Sequence, residues 1–524
     1  MRKHLIIMVV ALLVTTVGSA VIIGVLKHRE NTIVLTETTQ EGSTSAAAGL
    51  TISFMEYPGI YNEKTADYSK ISDKQWEQTI RYTTDGVSVT SRTMSDTDDL
   101  KNREKESEEK SNRHWESQNV GRGDYFDGYS LNGDREYLSK YISQDIKNTL
   151  VTDGQPVKVS LSDILTYYPM IYRVSLPYSG DTHSSYIDVP SDDNHFVASG
   201  SEIRHSSFYE NKDTDNNNNV SVDYTETAKA AKKLEEFFRI PVISEDAFEF
   251  SYDHEGDEFD DFWLSVERVG TDQFNPVFSS VIYNDAVYFT FDPHTEQGNV
   301  VDTSLIPGGY GIYILPFKLN HETGITTALT DELRLFVPLN PAMRNCEISI
   351  SEEMGVMAIN YTLDGQVGER IIDMKSCNCL YDEMLADDAE PGTYLSSYGI
   401  CGEDFVLVSV AKGLKYSDDS EFNYDENEKF LREHSKLFVI GRQSDGTYAK
   451  MLESNVEFRF GETMAFDGER LAVVHFFGLD YAVVYVYDKD GLTYKGSLET
   501  SFTKVDEQVP GMGAKTWDVQ CRWE

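Results

Sequence analysis

The stretch KDTDNNNNVSVDYTE, residues 212–226, comes nearest to a metal-binding pattern. With Asp213 as the first ligand position, Asp215, Asn217 and Asn219 fall at the third, fifth and seventh, and apolar Val220 falls at the eighth. Oxygen donors on alternate residues suit a hard cation, so Asp213, Asp215, Asn217 and Asn219 form a candidate calcium set. The stretch departs from a calcium loop in two places. Asn218 stands where the sharp turn calls for Gly, and Tyr224 stands at the twelfth position, with Glu226 two residues late. An ordinary Asn/Asp turn is the competing reading.

Other chemistry-bearing residues are less organised. His183, His195 and His205 share a polar region with Asp181, Asp192 and Asp193, but their spacings of 12 and 10 match no zinc template. The CNC run at 377–379 could open a zinc site, yet Cys346 and Cys401 lie too far off to complete one. GRGD (121–124) contains an adhesion tripeptide within a polar region. PGMGAKT (510–516) lacks phosphate-loop spacing, FDGYSLNG (126–133) is not a nucleophile elbow, and HETGI (321–325) lacks the second His of a metalloprotease helix. Carboxylates are too numerous for one pair to stand out as acid and base, so no catalytic residue is assigned. His475 sits inside an apolar run and reads as a packed core residue.

Charge narrows the partners. Eighty-eight Asp and Glu against 46 Lys and Arg give a net charge of −42. Such a field repels nucleic acid and excludes it as a partner class, while attracting divalent cations or cationic partners; it also favours solubility. The first 30 residues carry Arg2, Lys3, Lys27 and Arg29 against Glu30, so the acidity belongs to the remainder. Residues 5–26, LIIMVVALLVTTVGSAVIIGVL, are 22 consecutive uncharged, mainly apolar residues. As a helix they span about 33 Å, enough to cross a bilayer. The run continues past the small residues of GSA (18–20), so a signal anchor in contact with membrane lipid is expected, rather than a cleaved leader. Its four-residue leading tail and the acidic remainder place the N-terminus in the cytoplasm and the C-terminal domain outside it. The five cysteines leave an odd thiol whatever the pairing, and buried thiols or one structural disulfide are expected.

The elements that must position any site are mainly strands. Residues 27–52 read as a flexible stalk rich in Thr, Ser, Gly and Ala. WEQTIRYTTDGVSVTSRT (76–93) predicts a hairpin turning at Asp85-Gly86, and residues 95–118 form a solvated charge run. Apolar spacing predicts helices over 134–150 and over 225–241, the second placing Leu234 and Phe238 on one face and stopping at Pro241. Residues 53–240 are expected to form an α+β region or additional sheets.

From 241 onward strand patterns dominate. NDAVYFTF (284–291), MGVMAINYTLDG (354–365), GEDFVLVSV (402–410) and GERLAVVHFF (468–477) each leave a polar or glycine corner and enter a dense apolar run. YGIYILPF (310–317), KLFVIGR (436–442) and YAVVYVY (481–487) supply second runs, and SDGTYAKMLESN (444–455) parallels KDGLTYKGSLET (489–500). A strand that is apolar at every position is covered on both faces.

A strand, its hairpin partner, an Asp-Gly turn and a polar outer strand resemble the blade of a β-propeller. The resemblance covers roughly 240–524 and is architectural. No Trp-Asp signature or kelch double glycine is present, and spacings of 70, 48 and 66 between the corners imply insertions such as 412–434. The expected class is mainly β, with propeller-like antiparallel sheets, a few helices and one N-terminal transmembrane helix; a β-sandwich or α+β multidomain chain is the alternative. The expected organisation is a cytoplasmic tail (1–4), anchor (5–26), stalk (27–52), N-terminal region (53–240) and propeller-like ectodomain (241–524). A binding or sensing protein for an unknown protein, peptide or glycan is the leading functional expectation. A surface glycosidase or lyase, or an envelope assembly factor, is the alternative.

Overall fold

The computed structural model describes residues 35–62, 67–70, 75–94, 126–128, 155–177, 184–188, 233–254, 262–319, 326–386, 393–402, 404–414, 424–455, 463–477, 481–500 and 512–524. These residues form mainly antiparallel sheets with few helices. The chain divides into two compact units: Met1–Arg113 with Gly392–Tyr394 and Ser409–Glu524, and His114–Pro391 with Leu395–Val408.

The first unit is built from both ends of the chain. One sheet runs in the order Leu35–Gly42, Gly491–Thr500, Tyr481–Asp488, Leu471–Phe477, Thr463–Phe466. Another runs Met512–Trp523, Leu50–Asn62, Gln75–Thr83, Gly86–Met94, with Asp67–Lys70 added beside Leu50–Asn62. Their shared apolar layer contains Ile52, Phe54, Ile80 and Tyr82 with Val474, Val484, Val486 and Leu498. The opposite face of Tyr481–Asp488 meets the strand Tyr448–Asn455. Coverage on both faces explains why every residue from Ala482 to Tyr487 is buried, and each buried aliphatic side chain there contributes about 1.5–3 kcal/mol.

Thus residues 35–52 are not a stalk. The polar Thr- and Glu-rich composition of 35–42 concealed an edge strand, in which main-chain pairing supplies the stability that side-chain burial does not. Leu35–Gly42 pairs antiparallel with Gly491–Thr500. The Tyr494 phenol donates to Glu37 Oε1 at 2.6 Å and lies 3.4 Å from the Tyr82 hydroxyl. Gly42 has φ +73°, and a Cβ there would stand 2.0 Å from the Thr493 carbonyl oxygen, so only glycine fits. A contiguous boundary at 240/241 does not match the compact units either, because the C-terminal strands need N-terminal partners.

The second unit contains the sheet of Phe278–Tyr283, Ala286–Phe291 and Gly311–Leu319, the last also paired with Thr326–Ala328 and Arg334–Pro338. Asn284 and Asp285 have φ of 47° and 56°, the doubly left-handed turn of a tight hairpin. A four-stranded meander follows: Arg344–Ser351, Val356–Leu363, Gln366–Asp373, Cys379–Ala386. Three-stranded sheets of Phe262–Arg268, Ala247–His254, Val157–Ser160 and of Phe126–Gly128, Ile171–Pro177, Ser184–Asp188 complete it. Phe238, Phe289, Phe291 and Tyr313 pack edge-to-face, tilted or stacked in its core. Residues 233–237 are helical, and Leu234 and Phe238 are buried as the sequence pattern requires.

Thr393–Cys401, Phe405–Leu414, Lys436–Arg442 and Tyr448–Asn455 form a further meander. Its last three strands occupy the same sheet positions as Leu471–Phe477, Tyr481–Asp488 and Gly491–Thr500. The repeated unit read from the sequence is therefore present. The insertion after Leu414 includes the helix Tyr424–His434, and the Asn427 side chain accepts from the Leu414 amide at 2.9 Å. Among the described residues no helix is long and apolar enough to cross a membrane; residues 5–26 lie outside them.

Arg470 fastens the end-to-end arrangement. Its Nη1 donates to the Ala46 and Ala48 carbonyls at 2.9 and 3.0 Å, and Nε donates to Asp467 at 2.9 Å. The guanidinium lies 4.0 Å from the Trp523 ring centre, and Trp523 Nε1 donates to the Ala465 carbonyl at 3.0 Å. Arg470→Ala is expected to cost about 2–3 kcal/mol in urea unfolding, with Arg470→Lys recovering little because it cannot stack and fork together. A loss below about 0.5 kcal/mol would contradict that role.

Candidate functional site

The meander Arg344–Ala386 carries a row of polar residues straight across its four strands. Register pairs Glu347 with Asn360, Asn360 with Glu369, and Glu369 with Glu383. Because side chains alternate between faces, all four belong to one face. Ser397, Gly399 and Cys401, alternate residues of Thr393–Cys401, meet that face.

Asn360 is the hub. Its Nδ2 donates to Glu369 Oε2 at 3.1 Å, and its Oδ1 accepts from Ser397 Oγ at 2.5 Å. A Cβ added to Gly399 would stand 3.3 Å from the Asn360 Cβ and 3.5 Å from Glu369 Oε2, so glycine permits the close approach. One row away, Cys401 Sγ lies 3.4 Å from Ser349 Oγ. Glu369 is fully buried, and its Oε1 has no hydrogen-bond partner. Burial pushes its carboxyl up to about 8; the Asn360 hydrogen bond opposes this and the Glu347 charge reinforces it. At neutral pH Glu369 is therefore protonated, an uncharged acid held between sheets.

The other face carries charge. Arg370 donates to Asp382 Oδ2 through Nε at 3.0 Å and Nη2 at 2.6 Å, while the Tyr361 hydroxyl donates to Asp382 Oδ1 at 2.7 Å. The Tyr361 ring lies over Gly368, where a Cβ would approach within 2.5 Å of Cζ. Burial, then the Asp382 hydrogen bond, raises the Tyr361 phenol above its ordinary range.

Two more internal acids are fully engaged. Asp246 pairs with Arg268 and accepts from Tyr168 at 2.9 Å, and Arg268 also donates to Asn275 and to the Phe274 carbonyl. Asp272 accepts from Thr295, Asn299 and the Gln273 and Gln297 amides at 2.8–3.1 Å. Burial opposes its ionisation, but these four donors outweigh it and hold its carboxyl below the usual range. The pair orders a strand end, and the four donors order the 292–299 loop.

Asp213, Asp215, Asn217 and Asn219 lie outside the described residues, as do His183, His195, His205, GRGD and the 134–150 pattern. Among the described residues no group of three His, Cys, Asp or Glu is placed to hold a metal ion. The five cysteines form no disulfide. His475 is half-buried in its strand. Sequence reasoning passed over Glu369 and Asn360, although a signal existed: each interrupts an apolar strand, in VGERIID and VMAINYTL.

No protein-family model matches the chain, and no curated protein matches it. Solved structures that resemble it share only weak similarity. A protein from Lactobacillus plantarum is 10% identical over 49% of this chain and 68% of that one, with TM-score 0.23. The WD40 domain of SCAP from fission yeast is 11% identical over 49% and 59%, with TM-score 0.21. TolB from Acinetobacter baumannii is 9% identical over 54% and 81%, with TM-score 0.13. No residue role is carried across from them.

The buried row makes a signed pH prediction. A carboxyl whose folded value exceeds its unfolded one keeps a proton that the unfolded chain releases. Glu369 therefore favours the fold most below about 4.3, its unfolded value, and the contribution falls as pH rises to about 8, then levels. Glu369→Gln should remove this slope and make the chain more stable than the wild type near pH 8 by a few kcal/mol, order of magnitude. Parallel stability curves for both proteins between pH 5 and 8, as read by urea unfolding, would contradict this placement.

Proposed function

We propose that this chain is a membrane-anchored, extracytoplasmic binding or sensing protein whose antiparallel meanders pack as propeller-like blades, with acidic loops that receive a cationic protein or peptide. The observation that carries the reading is the net charge of −42. Asp246, Asp272, Glu369 and Asp382 each have partners within the sheets and their loops. Among the described residues the buried acids are Glu56, Asp246, Asp272 and Glu369, a small part of the 88 in the sequence. A dense field of one sign raises the local concentration of oppositely charged partners and speeds their encounter. The apolar run at 5–26 supports the anchor, with the domain that follows it placed outward.

Titration of the full chain in detergent with fluorescent octalysine tests the ligand class. Binding at about 50 mM salt should weaken at least tenfold by about 500 mM, because screening shortens the reach of surface charge. Octaglutamate should not bind. Absent or salt-insensitive octalysine binding would contradict the reading; salt-insensitive binding of a neutral oligosaccharide in its place would point to a glycan. External protease applied to intact cells should digest the domain, and full protection would overturn the topology.

A further inference from the structure

The five cysteines fall into two chemical classes. Cys346 and Cys401 are buried and Cys521 is half-buried, and burial pushes each thiol up to about 12. Cys377 and Cys379 are both exposed, two residues apart in the turn between Gln366–Asp373 and Cys379–Ala386.

That turn holds itself together without either sulfur. Asp373 Oδ1 accepts from the Ser376 amide and hydroxyl at 2.6 and 2.7 Å. The Cys377 amide donates to the Asp373 carbonyl at 2.9 Å, and the Asp373 amide donates to the Asn378 carbonyl at 3.0 Å. The Asn378 amide reaches Ser376 Oγ at 3.3 Å. Cys379 Sγ has one contact, to the Tyr381 carbonyl at 3.2 Å. Cys377 has φ 58°, a left-handed position that Gly or Asn adopts at lower cost, although Asn378 stands next to it. The turn's own hydrogen bonds thus use neither sulfur, and the Cys379 thiol donates outside it, to the Tyr381 carbonyl.

We propose that Cys377 and Cys379 form a dithiol–disulfide site that takes low-molecular-weight disulfides as its substrate class. One thiolate attacks a sulfur of the small disulfide, the S–S bond breaks, and one small thiol leaves. The second thiolate then attacks the protein-side sulfur of the mixed disulfide, closing the Cys377–Cys379 bond and releasing the second small thiol. The protein gives up two electrons and two protons, and the small disulfide is reduced to two thiols. Closing a ring over a single intervening residue strains it, so the bond is readily reduced again, as suits a reversible site rather than a structural brace. The site is independent of the proposed ligand class.

The test uses the purified, reduced full chain in detergent and glutathione disulfide as probe. Two thiols should react rapidly with Ellman's reagent in the folded chain and five after denaturation. After glutathione disulfide, the native count should fall to none and the denatured count to three, with a monomer lighter by two hydrogens and no adduct. Cys377→Ser should instead retain one glutathione adduct on Cys379, and Cys346→Ser should leave the internal bond unaffected. Two adducts per chain, an interchain disulfide, or no change in native thiol count would each overturn the proposal.

Discussion

The first unit depends on one constraint: strands from the beginning of the described chain must pair with strands from its end. Leu35–Gly42 adds to Gly491–Thr500, and Leu50–Asn62 adds to Met512–Trp523. Without these pairings the dense apolar strands Leu471–Phe477 and Tyr481–Asp488 would lose cover, and Met512–Trp523 would have no partner among the described strands. The contacts are far apart in sequence, so loop-closure entropy must be met before they form. Arg470 answers that cost locally by gripping two N-terminal carbonyls and a C-terminal indole with one planar group.

Where sheets meet, two of the buried acids are held by several partners each. Asp246 has Arg268 and Tyr168, and Asp272 has four donors. Glu369 differs from these two: it accepts from the Asn360 amide, and burial raises its carboxyl toward the uncharged state. Burying an ionised carboxyl without a cation would cost several kcal/mol, and protonation avoids that cost below its raised value. The consequence is a sheet seam whose strength depends on pH, set by Asn360, Ser397 and Gly399 around a single acid.

Legibility from the sequence followed the side chains. Apolar runs at 286–291, 356–363, 405–410, 436–442, 471–477 and 481–487 marked their strands, because burial on both faces leaves a continuous pattern. The repeat of the 402–455 and 468–500 segments was legible for the same reason. Residues 35–42 were not, since an edge strand needs only backbone pairing and tolerates Thr and Glu throughout. The Glu369 row was invisible as a unit: register across four strands sets it, and spacings from 347 to 383 carry no local motif. CNC was visible, but only exposure separated its two thiols from buried Cys346 and Cys401 and half-buried Cys521.

The end-to-end pairing is the claim on which the others rest, and amide hydrogen exchange of the full chain tests it most directly. The amides of Leu50–Asn62 and of Met512–Trp523 that hydrogen-bond across their shared ladder should exchange together at the slow rate of global unfolding. Arg470→Ala should speed both strands by the same factor. Fast exchange of Met512–Trp523 while Leu471–Phe477 stays protected would show that the C-terminal strand is not paired with the N-terminal one, and would contradict the account.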